Sequence, residues 1–502
     1  MLRKIRMMAA ALCFTLVTLL FLDFTGTAHA WFGWLAKIQF LPAVLALNVA
    51  VVLCLVLLTL FFGRVYCSVI CPLGVWQDIV NWVSARRKGK KARFSYAEEK
   101  KAVRYGVLAL FVVLMIAGLN SIAILVAPYS AWGRIAGSLF APVWACGNNL
   151  LAYVAERANS YAFYEVDVWL KSAPVLVVAI VSLLVVSVLA WKGGRTYCNT
   201  ICPVGTVLGL ISRFAVFKPV INTDACVNCG LCGKKCKAQA IDTKNHTIDY
   251  SRCVMCMDCL ENCNKSALLL KAGMPSLKAA AQANASESKQ ECGAPENAGR
   301  RAFLVGAGVA LAAAAQAQKN KKVDGGLAVI EDKEIPERNT PIVPPGAFSA
   351  KHFAQHCTGC QLCVQACPNG VLRPSNGLMT LMQPEMQYDR GYCRPECTKC
   401  GEVCPTGAIK PITRAEKSST QIGHAVWVKK NCVVLTDDVD CGNCARHCPN
   451  GAILMVESKD GGRKIPVVNT ERCIGCGACE NLCPSRPFSA IYVEGHEMQK
   501  EI

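Results

Sequence analysis

Histidine is scarce in this sequence, and its placement narrows the possible chemistry. Only 7 of the 502 residues are histidine. None lies within the long apolar runs described below, and the nearest, His29, stands at the edge of the first run. The Cys-x-x-Cys-His pattern of covalent haem attachment is also absent. Haem bound by two histidines inside a membrane bundle and covalently attached haem are therefore both excluded.

Acidic residues are also few, with 35 Asp and Glu against 54 Lys and Arg. A net charge of +19 would suit a protein that binds nucleic acid. Much of the basic excess, however, lies beside apolar runs, and metal clusters on cysteine thiolates would offset more of it. We therefore predict no nucleic-acid partner. No nucleophile, general base or nucleotide-binding loop stands out, so we predict no catalytic residue.

Hydrophobic residues make up 53% of the chain. Four apolar runs, at 7–24, 38–62, 104–127 and 172–191, are each about long enough to cross a bilayer as a helix. Basic residues concentrate before the first run, between the second and third, and after the fourth. The positive-inside rule then places loop 63–103 in the cytoplasm and loop 128–171 outside. The Ala28-x-Ala30 pattern also resembles a signal cleavage site, but we favour retention of the first run.

Cysteine, with 32 residues, is abundant, and most cysteines come in groups of four. Two groups follow the Cys-x2-Cys-x2-Cys-x3-Cys run of bacterial ferredoxins, in which the fourth cysteine binds the other cluster. A structural zinc site would need only four ligands. The two predicted ligand sets are Cys226, Cys229, Cys232 with Cys263, and Cys253, Cys256, Cys259 with Cys236.

Four further quartets fill the carboxy-terminal region, and a proline follows each. They are Cys357, Cys360, Cys363, Cys367; Cys393, Cys397, Cys400, Cys404; Cys432, Cys441, Cys444, Cys448; and Cys473, Cys476, Cys479, Cys483. The sequence leaves open whether they pair as neighbours or nested, the first with the fourth. In total we predict six [4Fe-4S] clusters as cofactors.

Two apolar runs end in near-identical segments, GRVYCSVICPLG at 63–74 and GRTYCNTICPVG at 194–205. Each holds a Cys-x3-Cys-Pro motif, and together they contribute Cys67, Cys71, Cys198 and Cys202. On a helix, cysteines four apart share one face. Three interpretations stay open: a further metal or iron–sulfur centre, a thiol redox pair beside a quinone, or structural packing. Asn48 and Asn120, within the runs, are interpreted as hydrogen-bonding partners between helices.

The predicted fold is a membrane α-helical bundle of four spans plus one internal signal or anchor helix, with α+β bacterial-ferredoxin-like modules. We divide the chain into a polytopic membrane domain (1–220), a cytoplasmic two-cluster ferredoxin module (221–270), a linker (271–298), a twin-arginine-like signal or anchor helix (299–318) and an exported four-cluster module (345–497). Arg300 and Arg301 open the signal helix. A domain that receives its clusters in the cytoplasm must cross the membrane already folded.

Residues 1–270 resemble the polytopic ferredoxin-type subunit of the quinol dehydrogenase that serves periplasmic nitrate reductase. The resemblance rests on the four runs, the two Cys-x3-Cys-Pro motifs and the two-cluster ferredoxin. Residues 299–497 resemble the exported four-cluster partner of that subunit, with PPGAF at 344–348 and the irregular second and third quartets. These proteins are separate chains, whereas here they are fused. The Cys-x3-Cys-Pro motif is shared with nitrous-oxide respiration proteins and with factors for copper oxidase assembly.

The resemblance implies an oxidoreductase component of the bacterial inner membrane that oxidises quinol and passes electrons to a periplasmic redox protein or cytochrome. The alternative is a copper-reductase-like assembly or regulatory factor for a respiratory metalloenzyme. Two clusters are expected inside and four outside, with no obvious ligands between them. A second membrane subunit could bridge this gap, or the two modules could serve different partners.

Overall fold

The structure is a computed structural model that describes residues 2–88, 94–272, 331–377, 379–458 and 462–502. Nearly all of the predicted linker at 271–298 and the whole predicted signal helix at 299–318 lie outside the described residues. The first part of the chain is helical, and the two cysteine-rich parts combine short helices with two-stranded sheets.

The helices of the first part differ widely in length. They are α1 (Leu2–Leu22), α2 (Thr27–Phe32), α3 (Trp34–Lys37), α4 (Phe40–Leu45), α5 (Val49–Phe62), α6 (Val65–Val69), α7 (Pro72–Lys88), α8 (Lys101–Ile116), α9 (Asn120–Ala123), α10 (Pro128–Ile135), α11 (Ala141–Arg157), α12 (Ala173–Gly193), α13 (Thr196–Thr200) and α14 (Pro203–Ser212). A 3₁₀ turn (Ile124–Val126) precedes α10, and a π-helical turn (Ala136–Phe140) joins α10 to α11.

Two helices, α1 and α12, are long and apolar enough to cross a membrane, and each has 21 residues. The segments Asn120–Val126 and Pro128–Arg157, bent by 82° at their junction, would make a third span if counted together. The other predicted runs are interrupted. The Asn48 side chain accepts a hydrogen bond from Val51 N and so caps α5, and Gly118, at φ +76°, follows the end of α8. The structure thus supports a membrane protein, while four spans stay a prediction.

Short antiparallel strand pairs frame the cysteine-rich parts. The strands are β1 (Phe217–Ile221), β2 (Ile241–Asp242), β3 (Thr247–Ile248), β4 (Leu268–Ala272), β5 (Leu372–Pro374), β6 (Pro384–Met386), β7 (Thr420–Trp427), β8 (Ile453–Glu457), β9 (Lys464–Val468) and β10 (Ile491–Glu501). They pair as β1–β4, β2–β3, β5–β6, β7–β10 and β8–β9. We call residues 217–272 the inner module and residues 331–502 the outer module.

Short helices carry part of the cysteines in both modules. These helices are α15 (Leu231–Lys235), α16 (Asp258–Glu261), α17 (Ala350–His356), α18 (Leu362–Ala366), α19 (Lys399–Val403), α20 (Arg414–Ser419), α21 (Val433–Thr436), α22 (Asn443–Arg446) and α23 (Ala478–Asn481).

The two modules contact opposite ends of α1. At its start, Arg3 forms ion pairs with Asp258 and Glu261 of the inner module. Near its end, Phe21 packs against Gly133, where an added Cβ would lie 2.4 Å from the Cys360 carbonyl of the outer module. A helix of 21 residues is about 30 Å long at 1.5 Å per residue. The helical part therefore lies between the two modules.

Candidate iron–sulfur sites

In the inner module, the last cysteine of the first ferredoxin motif lies beside the first three cysteines of the second motif. Cys236 lines one cavity with Cys253, Cys256 and Cys259. Cys226 and Cys229 lie within electrostatic range of Cys232. The structure thus brings together the exchanged set that the sequence predicts for Cys236, and the assignment of Cys263 to the other set stays a prediction.

In the outer module, the quartets pair as neighbours. Cys404 lies within electrostatic range of Cys357, Cys360 and Cys363, and Cys367 lies within range of Cys393 and Cys400. Cys483 approaches Cys444, and Cys448 shares a cavity with the fourth quartet. The four resulting groups are Cys357, Cys360, Cys363 with Cys404; Cys393, Cys397, Cys400 with Cys367; Cys432, Cys441, Cys444 with Cys483; and Cys473, Cys476, Cys479 with Cys448. The nested alternative does not match this arrangement.

The regular Cys-x2-Cys-x2-Cys loops share an unusual backbone. In each of them, the second residue after the first cysteine and the residue after the second cysteine have positive φ. These pairs are Asn228 and Gly230, Met255 and Met257, Gly359 and Gln361, and Gly475 and Gly477. Left-handed residues turn successive N–H groups toward one side and create a concave site for an anion. The quartets that begin at Cys393 and Cys432, with longer first gaps, do not repeat the pair.

Backbone N–H groups also point at the cysteine sulfurs. They donate from Ala240 to Cys236 Sγ (3.5 Å) and from Ala452 to Cys448 Sγ (3.2 Å). Burial raises the pKa of Cys253 to about 12, so a free thiol would be uncharged there, whereas a coordinating thiol is deprotonated. N–H donors favour the resulting charge on sulfur. The donors, the anion-binding loops and the cysteine-lined cavities therefore fit [4Fe-4S] clusters.

The four Cys-x3-Cys-Pro cysteines are all buried in the helical part. Cys67 lies in α6 and Cys198 in the equivalent helix α13. Each short helix ends before its second cysteine, and a new helix, α7 or α14, begins at the following proline. Proline suits the first helical position because that residue needs no N–H partner. In each motif, the continuous helical face expected from the spacing is therefore replaced by two helices with a break at the second cysteine.

Two buried arginines, which sequence reasoning did not single out, connect the motifs. Arg64 Nη2 donates to the carbonyl of Cys198 (3.1 Å), and Arg195 Nη1 donates to the carbonyl of Cys67 (2.8 Å). Each guanidinium also lies 3.9 Å from the sulfur of its own motif. The two motifs therefore face each other with approximate two-fold symmetry. The repeated Gly-Arg-x-Tyr-Cys order in both segments is the signal that could have revealed these residues.

The glycine that ends each motif is required by this contact. A Cβ on Gly74 would lie 2.2 Å from the Cys67 carbonyl, and one on Gly205 would lie 2.3 Å from the Cys198 carbonyl. We call Cys67, Cys71, Cys198 and Cys202, with Arg64 and Arg195, the motif site. Among the described residues, no three His, Cys, Asp or Glu side chains are placed to hold a single metal ion.

The inner module closes over the arginine side of the motif site. Arg64 Nη1 donates to the Ser251 carbonyl (3.1 Å), and the Arg195 backbone N–H donates to the Lys237 carbonyl (2.8 Å). Asp78 then accepts ion pairs from Arg195 (2.8 Å), from Lys237 (3.0 Å) and from Arg6 of α1 (3.2 Å). Three separate parts of the chain therefore meet at one carboxylate.

The tyrosines of the motifs lie on the side of the outer module. Tyr197 donates to the Val126 carbonyl (2.8 Å) in the bent segment. Tyr66 lies within electrostatic range of Cys67 and Cys71 and also of Tyr129. Tyr129 in turn lies within range of Cys360 and Cys404 of the outer module. Tyr66 and Tyr129 therefore lie in the region between the motif site and the first cysteine group of the outer module.

Polar contacts fix the outer module against the helical part. Lys171 Nζ donates to the carbonyl of Val364 (3.0 Å), and the Trp169 ring lies between the guanidinium groups of Arg373 and Arg390, at 4.6 and 4.5 Å. Asn120 donates to carbonyls of the outer module. Asn120 of α9 therefore bonds to another helix, α17, as the sequence suggested, whereas Asn48 caps α5 instead.

Two family models match this chain. One, described as a 4Fe-4S dicluster domain, matches residues 356–408 and 439–486. The other, described as a 4Fe-4S binding domain, matches residues 44–91 and 174–222, which contain the two Cys-x3-Cys-Pro motifs. No solved structure matches the chain.

Several curated proteins are similar over about a third of the chain. The "Ferredoxin-type protein NapF" of Escherichia coli is 31% identical over 156 residues, which cover 31% of this chain and 87% of NapF. The "Methylamine utilization ferredoxin-type protein MauM" of Paracoccus denitrificans is 32% identical over 31% of this chain and 73% of MauM. The "Ferredoxin-type protein NapG" of Escherichia coli is 31% identical over 28% of this chain and 64% of NapG. With its cysteine groups, this similarity shows that the chain belongs to the ferredoxin-type 4Fe-4S proteins, which act in iron–sulfur electron transfer.

Proposed function

We propose that this protein takes electrons from quinol in the bacterial inner membrane and delivers them to a periplasmic redox protein or cytochrome. The 24 quartet cysteines would hold six [4Fe-4S] clusters, and the motif site would hold one further centre. Bound clusters supply one-electron redox chemistry, and the protein sets their potentials through burial, spacing and N–H donors to sulfur.

The observation that carries this proposal is the position of the modules at opposite ends of α1. Basic residues at the start of α1 favour the cytoplasmic side for the inner module. The outer module then lies about 30 Å away, close to the thickness of a bilayer core. Exposed apolar side chains on the helices between them, such as Leu53, Val113 and Leu150, suit contact with lipid.

Quinol oxidation can be tested with the purified full-length protein, kept free of oxygen. A reduced quinol analogue should bleach the visible absorbance of the clusters and produce the EPR signals of reduced clusters. Reoxidation should restore the absorbance. If the quinol analogue reduces no cluster while dithionite does, the protein does not oxidise quinol.

Delivery of electrons to an outer acceptor can be tested with a variant of the outer module. Cys476→Ser removes a proposed cluster ligand of the outer module and should stop reduction of an added soluble cytochrome while quinol still reduces the other clusters. Cys146→Ser is the matched control because Cys146 is exposed and belongs to no quartet. Reduction of copper(II) without quinol turnover would instead favour the assembly-factor alternative.

A further inference from the structure

Arg64 carries a buried charge that has no carboxylate partner. Its side chain is fully buried, and among the described residues no Asp or Glu lies within ion-pair distance of it. Its hydrogen bonds go to neutral oxygens of Asn199, Ser251 and Cys198. An isolated buried cation is costly unless a negative group lies nearby. The nearest groups that can become negative are the cysteine sulfurs of the motif site.

The motif site also lies between the two modules and contacts the inner one directly. On its inner side, Arg64 and Arg195 bind the carbonyls of Ser251 and Lys237, which flank Cys253 and Cys236 of the inner module. On its outer side, Tyr66 lies within electrostatic range of Cys67, and Tyr129 lies within range of both Tyr66 and Cys360. The gap that the sequence seemed to leave between the inner and outer clusters is therefore occupied by four buried sulfurs of the same chain.

We propose that the motif site binds an iron–sulfur centre that links the two modules electrically, so that this single chain carries electrons across the membrane. The proposal rests on the proposed function for the redox role of the modules, and it adds a route that needs no second subunit. Arg64 and Arg195 are positioning residues, because they hold the two motifs together and offset the negative charge of the centre.

The electron balance of this route is simple. One electron would leave a reduced centre of one module, reside at the motif site and then reach an oxidised centre of the other module. Each such passage oxidises the donor by one electron and reduces the acceptor by one, with no bond to a substrate formed or broken. Two passages account for the two electrons that one quinol releases with its two protons.

Proteoliposomes test the route without quinol. The full-length protein is reconstituted with ferricyanide enclosed in the lumen and dithionite added outside, and the loss of ferricyanide absorbance measures electrons crossing the membrane. We expect Cys67→Ser and Cys198→Ser to lower this rate at least tenfold. Cys54→Ser, an exposed cysteine outside every group, serves as the matched control and should keep the wild-type rate.

Iron content and EPR separate loss of the link from loss of the fold. Both serine variants should keep the iron and the reduced-state signals of the six module clusters and lose only the remaining iron and its signal. Transfer at the rate of the control, or unchanged iron, would overturn the proposal. So would a wild-type protein with full iron content that moves no electrons.

Arg64 provides a variant that leaves all four sulfurs in place. Arg64→Gln removes a positive charge beside the centre, so we expect the midpoint potential of one EPR signal to fall while the signals of the modules stay unchanged. Arg64→Lys, which keeps the charge, should shift that potential less. Equal potentials in wild type and Arg64→Gln would contradict the assigned role.

The link and the proposed function can fail separately. Transfer from dithionite to ferricyanide without oxidation of the quinol analogue would refute quinol oxidation and leave the link intact. Quinol-driven reduction of an outer acceptor at full rate in Cys67→Ser would refute the link and leave the function intact.

Discussion

Replacing Asp78 by asparagine should loosen the inner module from the helical part. The carboxylate of Asp78 pairs with Arg195, Lys237 and Arg6, which come from the second repeated segment (194–205), the inner module and α1. Removing one partner of a buried ion pair costs about 3–5 kcal/mol, because the remaining charges stay buried without compensation. A cost of about 3 kcal/mol changes an equilibrium constant by about a hundredfold.

Hydrogen–deuterium exchange measures this effect directly. In Asp78→Asn, amides of residues 236–261 should exchange at least about a hundredfold faster than in wild type, while the β7–β10 pair of the outer module keeps its protection. Glu98→Gln is the matched control, since Glu98 is exposed and loses the same charge. Equal exchange in Asp78→Asn and the control would refute the assignment of Asp78 as the shared partner.

Low pH should weaken the same ion pairs of Asp78. Burial alone would raise the pKa of Asp78, but Arg195, Lys237 and Arg6 outweigh it and hold the pKa well below its usual range. A depressed pKa in the folded state means that the stabilisation is complete above the unfolded pKa of about 4 and is lost as the pH falls toward the folded value. This part of the acid dependence should be missing in Asp78→Asn.

Three further outcomes are expected. Trp169→Ala removes two cation–π contacts of about 0.5–2 kcal/mol each and should speed proteolysis of the outer module, whereas Trp31→Ala, exposed elsewhere, should not. Cys236→Ser should lower the iron content by about four atoms per chain through loss of one cubane, and the EPR signal of the other inner cluster should remain. Burial lowers the pKa of Lys171 to about 8, so the folded state binds fewer protons than the unfolded chain above that value. The unfolding temperature should accordingly rise relative to Lys171→Gln between about pH 8 and 10; an identical pH profile for both proteins would contradict this.

The sequence was informative where function depends on spacing within a few residues. The exchanged position of Cys236 follows from the ferredoxin run alone, and the structure places it beside Cys253 as expected. Spacing could not decide how the four outer quartets pair, because that depends on contacts between segments up to about fifty residues apart. Only the three-dimensional arrangement excludes nesting.

Helix bounds in the apolar runs were harder to predict. Hydrophobicity does not show that Asn48 caps a helix or that Gly118 adopts a positive φ, and both interrupt runs that otherwise look continuous. The roles of Arg64 and Arg195 were also missed, because basic residues beside apolar runs usually mark membrane topology. Their burial and their contacts with the opposite motif become visible only in the folded chain.

The two motifs are nearly symmetric, but one pair of equivalent residues, Ser68 and Asn199, makes different contacts. A site with exact two-fold symmetry could bind the asymmetric inner module in two orientations of equal energy. At equivalent positions, however, the Ser68 hydroxyl donates to the carbonyl of Val65 in its own turn, whereas the Asn199 side chain accepts from Arg64 (2.8 Å) and donates to the carbonyl of Ala238 (3.1 Å). This divergence between the duplicated halves favours one orientation of the inner module, and so fixes which of its clusters lies nearest the sulfurs of the motif site.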